Sequence, residues 1–122
     1  MNLFGNQKFE TLDDLFLEQI EDLYDAEKRL VEALPKMADC ASDPQLAGAF
    51  RSHLDETKGQ VSRLEDVFRI LGHEAKRETC DAMKGLITEG EDIIDAKGSP
   101  QVIDAALIAA AQRVEHYEMA GY

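Results

Sequence analysis

Residues 43–72 read DPQLAGAFRSHLDETKGQVSRLEDVFRILG, and this stretch decides the fold. Asp43 can accept from a free backbone N–H, and Pro44 stands at the first helical position, where its missing N–H costs nothing. Leu46, Phe50, Leu54, Val61, Leu64, Phe68 and Leu71 then recur at helical spacing, and Gly72 is a natural stop. The stretch predicts one amphipathic helix of nearly four heptads, long for a chain of 122 residues. A helix with a single apolar stripe of that length has to bury it against other helices.

The pattern continues on both sides. Upstream, Thr11 followed by Asp14 reads as a capping box variant, and Phe16, Ile20, Leu23, Leu30, Leu34 and Met37 form a second stripe. Pro35 is expected to kink that helix or end its regular part. Residues 1–10 read as a loose arm docked by Leu3 and Phe4. Downstream, Thr79 to about Lys97 predicts a shorter helix, weakened by Gly85 and Gly90 and closed by Gly98. Ser99 and Pro100 repeat the cap-plus-proline start, and a last helix runs towards Tyr122. Its Ala105, Ala106, Ala109, Ala110 and Ala111 would let a neighbouring helix approach closely. The expected architecture is all-α, of the four-helix-bundle type, forming a single domain over residues 1–122.

Composition narrows the function. Asp plus Glu number 25 against 13 Lys plus Arg, a net charge of −12. Such a surface argues against nucleic acid or anionic membrane as a partner. Met1 to Glu10 lacks a signal pattern and no window approaches a membrane span, so a cytoplasmic protein is expected. Cys40 and Cys80 fit no metal spacing and read as reduced thiols.

The chemistry is signalled by an interruption. Positions 16, 20, 23, 27, 30 and 34 share one face, and position 27 is Glu27. A carboxylate on a core face needs a partner or a metal. On the next long helix His53 and Glu56 stand one turn apart beside Phe50, Leu54 and Thr57. In the last helix Ala111, Val114, Glu118 and Gly121 form one line, with Glu115 and His116 alongside, and the spacing leaves open which of Glu115 and Glu118 points inward. Facing helices that project Glu and His into a bundle core build di-iron and di-manganese carboxylate sites. Oxygen donors with an imidazole suit iron or manganese. The usual Glu-x-x-His does not occur; the order here is His53-x-x-Glu56. Glu18, Glu21, Asp22, Asp25 and Glu32 are expected to face solvent, and Lys58, Arg63 and Arg69 to be surface partners.

The stretches LYDAEKRLVEALPKMA, FRSHLDETKGQVSRLEDVF, CDAMKGLITEGEDII and DAALIAAAQRVEHYEMAGY resemble, in order and over nearly the whole chain, the YciF/YciE-like family of bacterial ferritin-like stress proteins. The resemblance implies a ferritin-like bundle that pairs as a homodimer, induction under stress, and a metal site of unestablished activity. Carried over by position, it implies ligands among Glu27, Glu56, Glu115 and Glu118, with His53 as a nitrogen ligand. It also implies a further long helix after EHYEMAGY, so that the Thr79–Lys97 segment is a crossover connection. The expectation is then that this sequence is a piece of a longer product, or that another chain completes the bundle. The competing expectation is a structural or interaction bundle with no functional metal site, its acidic residues satisfied by Arg, Lys, Tyr24, Tyr117 or water.

Overall fold

The computed structural model describes residues 8–122, and the expected docking of Leu3 and Phe4 falls outside them. Among the described residues there are four helices and no strand: α1 Leu12–Cys40, α2 Pro44–Leu71, α3 Asp81–Ile94 and α4 Pro100–Gly121. The capping signals explain most boundaries. Thr11 accepts from the Asp14 N–H and Asp14 reaches back to the Thr11 N–H, a complete capping box. Asp43 accepts from the Leu46 N–H with Pro44 behind it, and Gly72 ends α2 at a φ of 77°, a left-handed conformation suited to glycine.

Four details differ from the sequence reading. Pro35 does not end α1, which continues to Cys40; Pro35 is exposed, where water can serve the carbonyl that its missing N–H leaves free. The third helix is shorter than Thr79–Lys97, because Cys80 takes the cap position, its Sγ accepting from the Met83 N–H at 3.4 Å. Phe16, expected in the core stripe, is 49% exposed, and Leu71 at the facing end of α2 is exposed too. Both lie at the open end of the α1–α2 hairpin, beyond the reach of α4. Of the alanines on α4, only Ala110 is buried; Ala105 and Ala109 face outward.

α1 is the central element, packing along α2 and against α3, while α3 pairs with α4. The chain leaves α1 by a short turn, so α2 runs antiparallel to it. Residues 72–80 lead into α3, whose N-terminus is fastened beside Asp25, and α3 carries the chain back towards the C-terminal end of α1. α4 therefore starts at the same end as α2. The Asp104 carboxylate fixes that start, accepting from the backbone N–H groups of Ser42 and Asp43 at 2.8 and 2.9 Å. Asp104→Ala orphans two donors at the α1–α2 turn and should lower unfolding free energy by about 1–2 kcal/mol in urea titrations. At the other end, a Cβ on Gly121 would lie 2.7 Å from Cδ2 of Leu23, so glycine lets the end of α4 approach α1 closely.

The interior has two apolar clusters. One contains Leu30, Leu34, Phe50, Met83, Leu107 and Val114; the other contains Ile20, Leu23, Tyr24, Leu64 and Phe68. Between them along α1, α2 and α4 stand Glu27, Thr57 and Glu118, all buried. The fold thus places a polar layer inside an apolar bundle.

Candidate metal centre

Glu27 sits where its stripe put it. It is 0% exposed, and as a carboxylate neither oxygen has a hydrogen-bond partner. α4 supplies Glu118, also buried, which resolves the choice left open by spacing: Glu118 points inward, and Glu115 is half-buried at the rim. α2 supplies His53, whose Nε2 lies 3.3 Å from Oε1 of Glu118, an ion-pair distance outside hydrogen-bond geometry. Glu56, the predicted companion of His53, reaches Nδ1 only at 3.9 Å, and its side chain is 74% exposed. His116 is exposed.

The layer has two more residues, Thr57, which the sequence placed beside His53, and Gln60, which it did not single out. Thr57 is fully buried, its hydroxyl donating to the His53 carbonyl at 2.7 Å. Gln60 brings a buried, unbonded Oε1. Both follow His53 at intervals of four and seven, the spacing that keeps residues on one helix face, so periodicity could have found Gln60 as well.

The electrostatics follow from burial. Removal from water, then the Glu118 carboxylate, which accepts the Glu27 proton and adds its negative charge, pushes the Glu27 carboxyl up to about 9. Burial also acts against ionisation of Glu118, but His53 and Glu27 outweigh it and hold that carboxyl below the usual range. The pairing with Glu118 raises the His53 imidazolium against the opposing effect of burial. At neutral pH the layer thus keeps a proton on Glu27, and the upward shift of His53 acts in the same direction.

Elsewhere the expected solvent-facing acids divide. Asp25 is buried, not exposed: it accepts from Arg29 at 2.7 Å, Arg77 at 2.8 Å and the Cys80 N–H at 2.7 Å. Glu18 is buried as well, with the Gln19 amide on its Oε2. The tyrosines do not serve Glu27: Tyr24 donates to Glu65 at 2.9 Å and Tyr117 to Asp22 at 2.8 Å. Both cysteines are free thiols.

The layer of two carboxylates and one imidazole is hard and oxygen-rich, the donor chemistry that iron or manganese prefers, and Glu27, His53 and Glu118 each carry a buried atom without a hydrogen-bond partner. Among the described residues no group of three or more His, Cys, Asp or Glu side chains is placed so that it could hold a metal ion. One side of the layer is open. α2 and α4 barely meet, and a groove of about 150 Å³ runs between them over α1, lined by Leu34, Met37, Phe50, Ile108 and Val114 and reaching His53 and Glu115. No described helix is long and apolar enough to cross a membrane.

Comparison with known proteins agrees with this architecture. The profile of a domain of unknown function, DUF892, matches residues 11–122. Protein YciF of Escherichia coli K12 is 46% identical over 113 residues, covering 92% of this chain and 68% of that protein. The crystal structure of YciF, described as an E. coli stress protein, superposes with a TM-score of 0.89 over 93% of this chain and 72% of that one, at 45% identity. YcfI of Rhodopseudomonas palustris, proposed to be a structural protein, gives a TM-score of 0.92 at 40% identity, covering 98% and 76%. With its helices, its order of elements and its sequence all in agreement, the chain belongs to the DUF892 family of YciF-like proteins.

Proposed function

We propose that this protein is a ferritin-like stress-response protein that binds iron or manganese in its bundle through Glu27, His53 and Glu118, with Glu56 and Glu115 at the rim. The observation that carries the reading is the carboxylate of Glu27, fully buried with both oxygens unbonded. Ionised, that carboxylate would be destabilising, so it holds a proton shared with Glu118, and a divalent cation is the partner that would use Glu27, Glu118 and His53 together. When bound, such a metal supplies redox and Lewis-acid chemistry; the chain's own part is to hold the donors, exclude water with Leu30 and Thr57, and release protons from Glu27 and His53 as metal enters.

These donors are fewer than a di-metal site needs. YciF and YcfI are both longer than their matched regions, and a helix laid in the groove between α2 and α4 would cover its apolar floor and bring further ligands. Pairing as a homodimer is supported by Leu12, Phe16, Ile70 and Leu71, large apolar side chains exposed at one end of the α1–α2 hairpin. The role in stress rests on kinship with YciF, a stress protein.

Anaerobic addition of iron(II) or manganese(II) to the protein should raise its unfolding temperature and leave near-stoichiometric metal after desalting, because a ligand of the folded state alone stabilises it. The competing reading is a structural bundle with no working metal site, favoured by the incomplete donor set and by the role proposed for YcfI. It predicts no thermal shift and no retained metal.

A further inference from the structure

The inward pair on α2 is not the one that the spacing of His53 and Glu56 suggested. Glu56 turns away, its side chain 74% exposed, and the inward residues three positions apart are Thr57 and Gln60. Thr57 is fully buried, as is Oε1 of Gln60, and with Glu27 of α1 and Glu118 of α4 they make up one layer. Gln60 lines the same opening between α2 and α4 as His53 and Glu118. Bundles that hold two cations side by side use a lone Glu from each of two helices and a Glu-x-x-His from each of the other two. Glu27 and Glu118 stand as the lone glutamates. On α2, the place of the Glu-x-x-His is taken by Thr57-x-x-Gln60.

Both replacements take away what a second cation needs. The Thr57 hydroxyl is neutral, and its proton is committed to the His53 carbonyl at 2.7 Å. Gln60 presents an amide oxygen without a hydrogen-bond partner, a donor that brings no charge. The buried carboxylates are then Glu27 and Glu118, whose two negative charges balance one divalent cation. A second cation would stand uncompensated in the interior, where unpaired charge is strongly disfavoured. Glu56 lies in solvent and Glu115 at the rim, where water screens both. His53 does not stand in for a histidine at position 60, because seven residues separate the two by about 10 Å along α2.

We propose that Thr57 and Gln60 set the cation capacity of the layer and hold it to at most one divalent ion. This assignment rests on the layer being a cation site, and it adds the number of ions and the residues that fix it.

The double variant Thr57→Glu/Gln60→His supplies the missing carboxylate and imidazole. Anaerobic addition of manganese(II) alone is read as metal per chain by elemental analysis after desalting, and as the rise in melting temperature. The parent should retain no more than one manganese per chain. The double variant should retain one more than the parent; without metal it should melt lower, since it adds a buried carboxyl, and it should gain more when metal is added. A control, Ser52→Glu/Asp55→His, puts the same pair on the exposed face of α2 and should retain no more than the parent. Two manganese in the parent, no added metal in the double variant, or an equal gain in the control overturns the proposal. Metal in the double variant and none in the parent would end the reading of the parent as a metal protein, while positions 57 and 60 would still be what limits the layer. Should the double variant fail to fold, Gln60→His decides alone. It leaves the number of buried carboxylates unchanged and should bind manganese about tenfold more tightly than the parent, the lower end of what one contact around a metal contributes; an unchanged affinity overturns the proposal.

Discussion

Glu27→Leu should make the metal-free protein more stable. The substitution replaces a buried carboxyl, neither of whose oxygens accepts a hydrogen bond, by an apolar side chain of similar volume, flanked by Leu23 and Leu30 one turn away on either side. The gain expected is about 2 kcal/mol, the typical penalty of an unsatisfied buried polar group. For a domain of this size that corresponds to roughly 3–5 °C in melting temperature for each kcal/mol. The pH dependence is the sharper test. The folded-state carboxyl of Glu27 is raised to about 9 from an ordinary value of 4.5, so across that window the folded chain holds a proton that the unfolded chain has lost. The contribution is therefore fully present below 4.5 and is lost as pH rises through 9. His53, raised by Glu118, acts in the same direction. The parent should melt lower at pH 8 than at pH 5, and Glu27→Leu should remove much of that slope. The same variant should gain nothing from iron(II) or manganese(II). A variant less stable than the parent without metal would mean that the proton shared with Glu118 already satisfies Glu27, and the argument for a metal would fail with it.

Asp25→Ala should do the opposite, lowering unfolding free energy by about 3 kcal/mol, the lower end for breaking a buried charged network by removing one member. Asp25 receives three donors from three parts of the chain: Arg29 from its own helix, Arg77 from the 72–80 connection, and the Cys80 N–H from the start of α3. The lower end applies because the arginine side chains are 27% and 40% exposed and recover some hydration. Burial disfavours the Asp25 charge, but the Cys80 N–H and the two arginines outweigh it and hold the carboxyl below its ordinary range. Its stabilisation is therefore present above 3.8 and disappears as pH falls through the lowered value. Hydrogen exchange should locate the damage, with protection lost over residues 78–94 before the α1–α2 hairpin is affected. Uniform loss across all four helices would show that Asp25 supports the core as a whole.

The sequence made the helices and the inward carboxylates visible for one reason: both are written in local spacing. Thr11 with Asp14, Asp43 with Pro44, and Gly72 mark boundaries within a few residues of themselves. Glu27 declares itself by breaking a stripe. Asp25 could not be found this way, because what buries it is Arg77 and Cys80, more than fifty positions along and in a segment without periodicity. The exposure of Phe16 was hidden for a similar reason: a stripe says which face is apolar, and tertiary packing decides how much of its length is covered. The choice between Glu115 and Glu118 needed the position of α4 relative to α1, which Asp104 and Gly121 set at its two ends.

The layer of Glu27, Thr57, Gln60 and Glu118 between two apolar clusters also bears on how the helices find their alignment. Leucine and phenylalanine stripes are tolerant of sliding, since a helix displaced by one turn still meets apolar neighbours. The layer is not tolerant. Moving α2 or α4 along α1 by a turn would part His53 from Glu118 and press Glu27 against a leucine instead. Each misaligned arrangement then carries an added unpaired charge, so a group that weakens the correct bundle penalises the shifted ones more, as single polar residues do in coiled-coil seams. On this view Glu27→Leu exchanges specificity for stability: the variant melts higher, and its helices are freer to settle out of step.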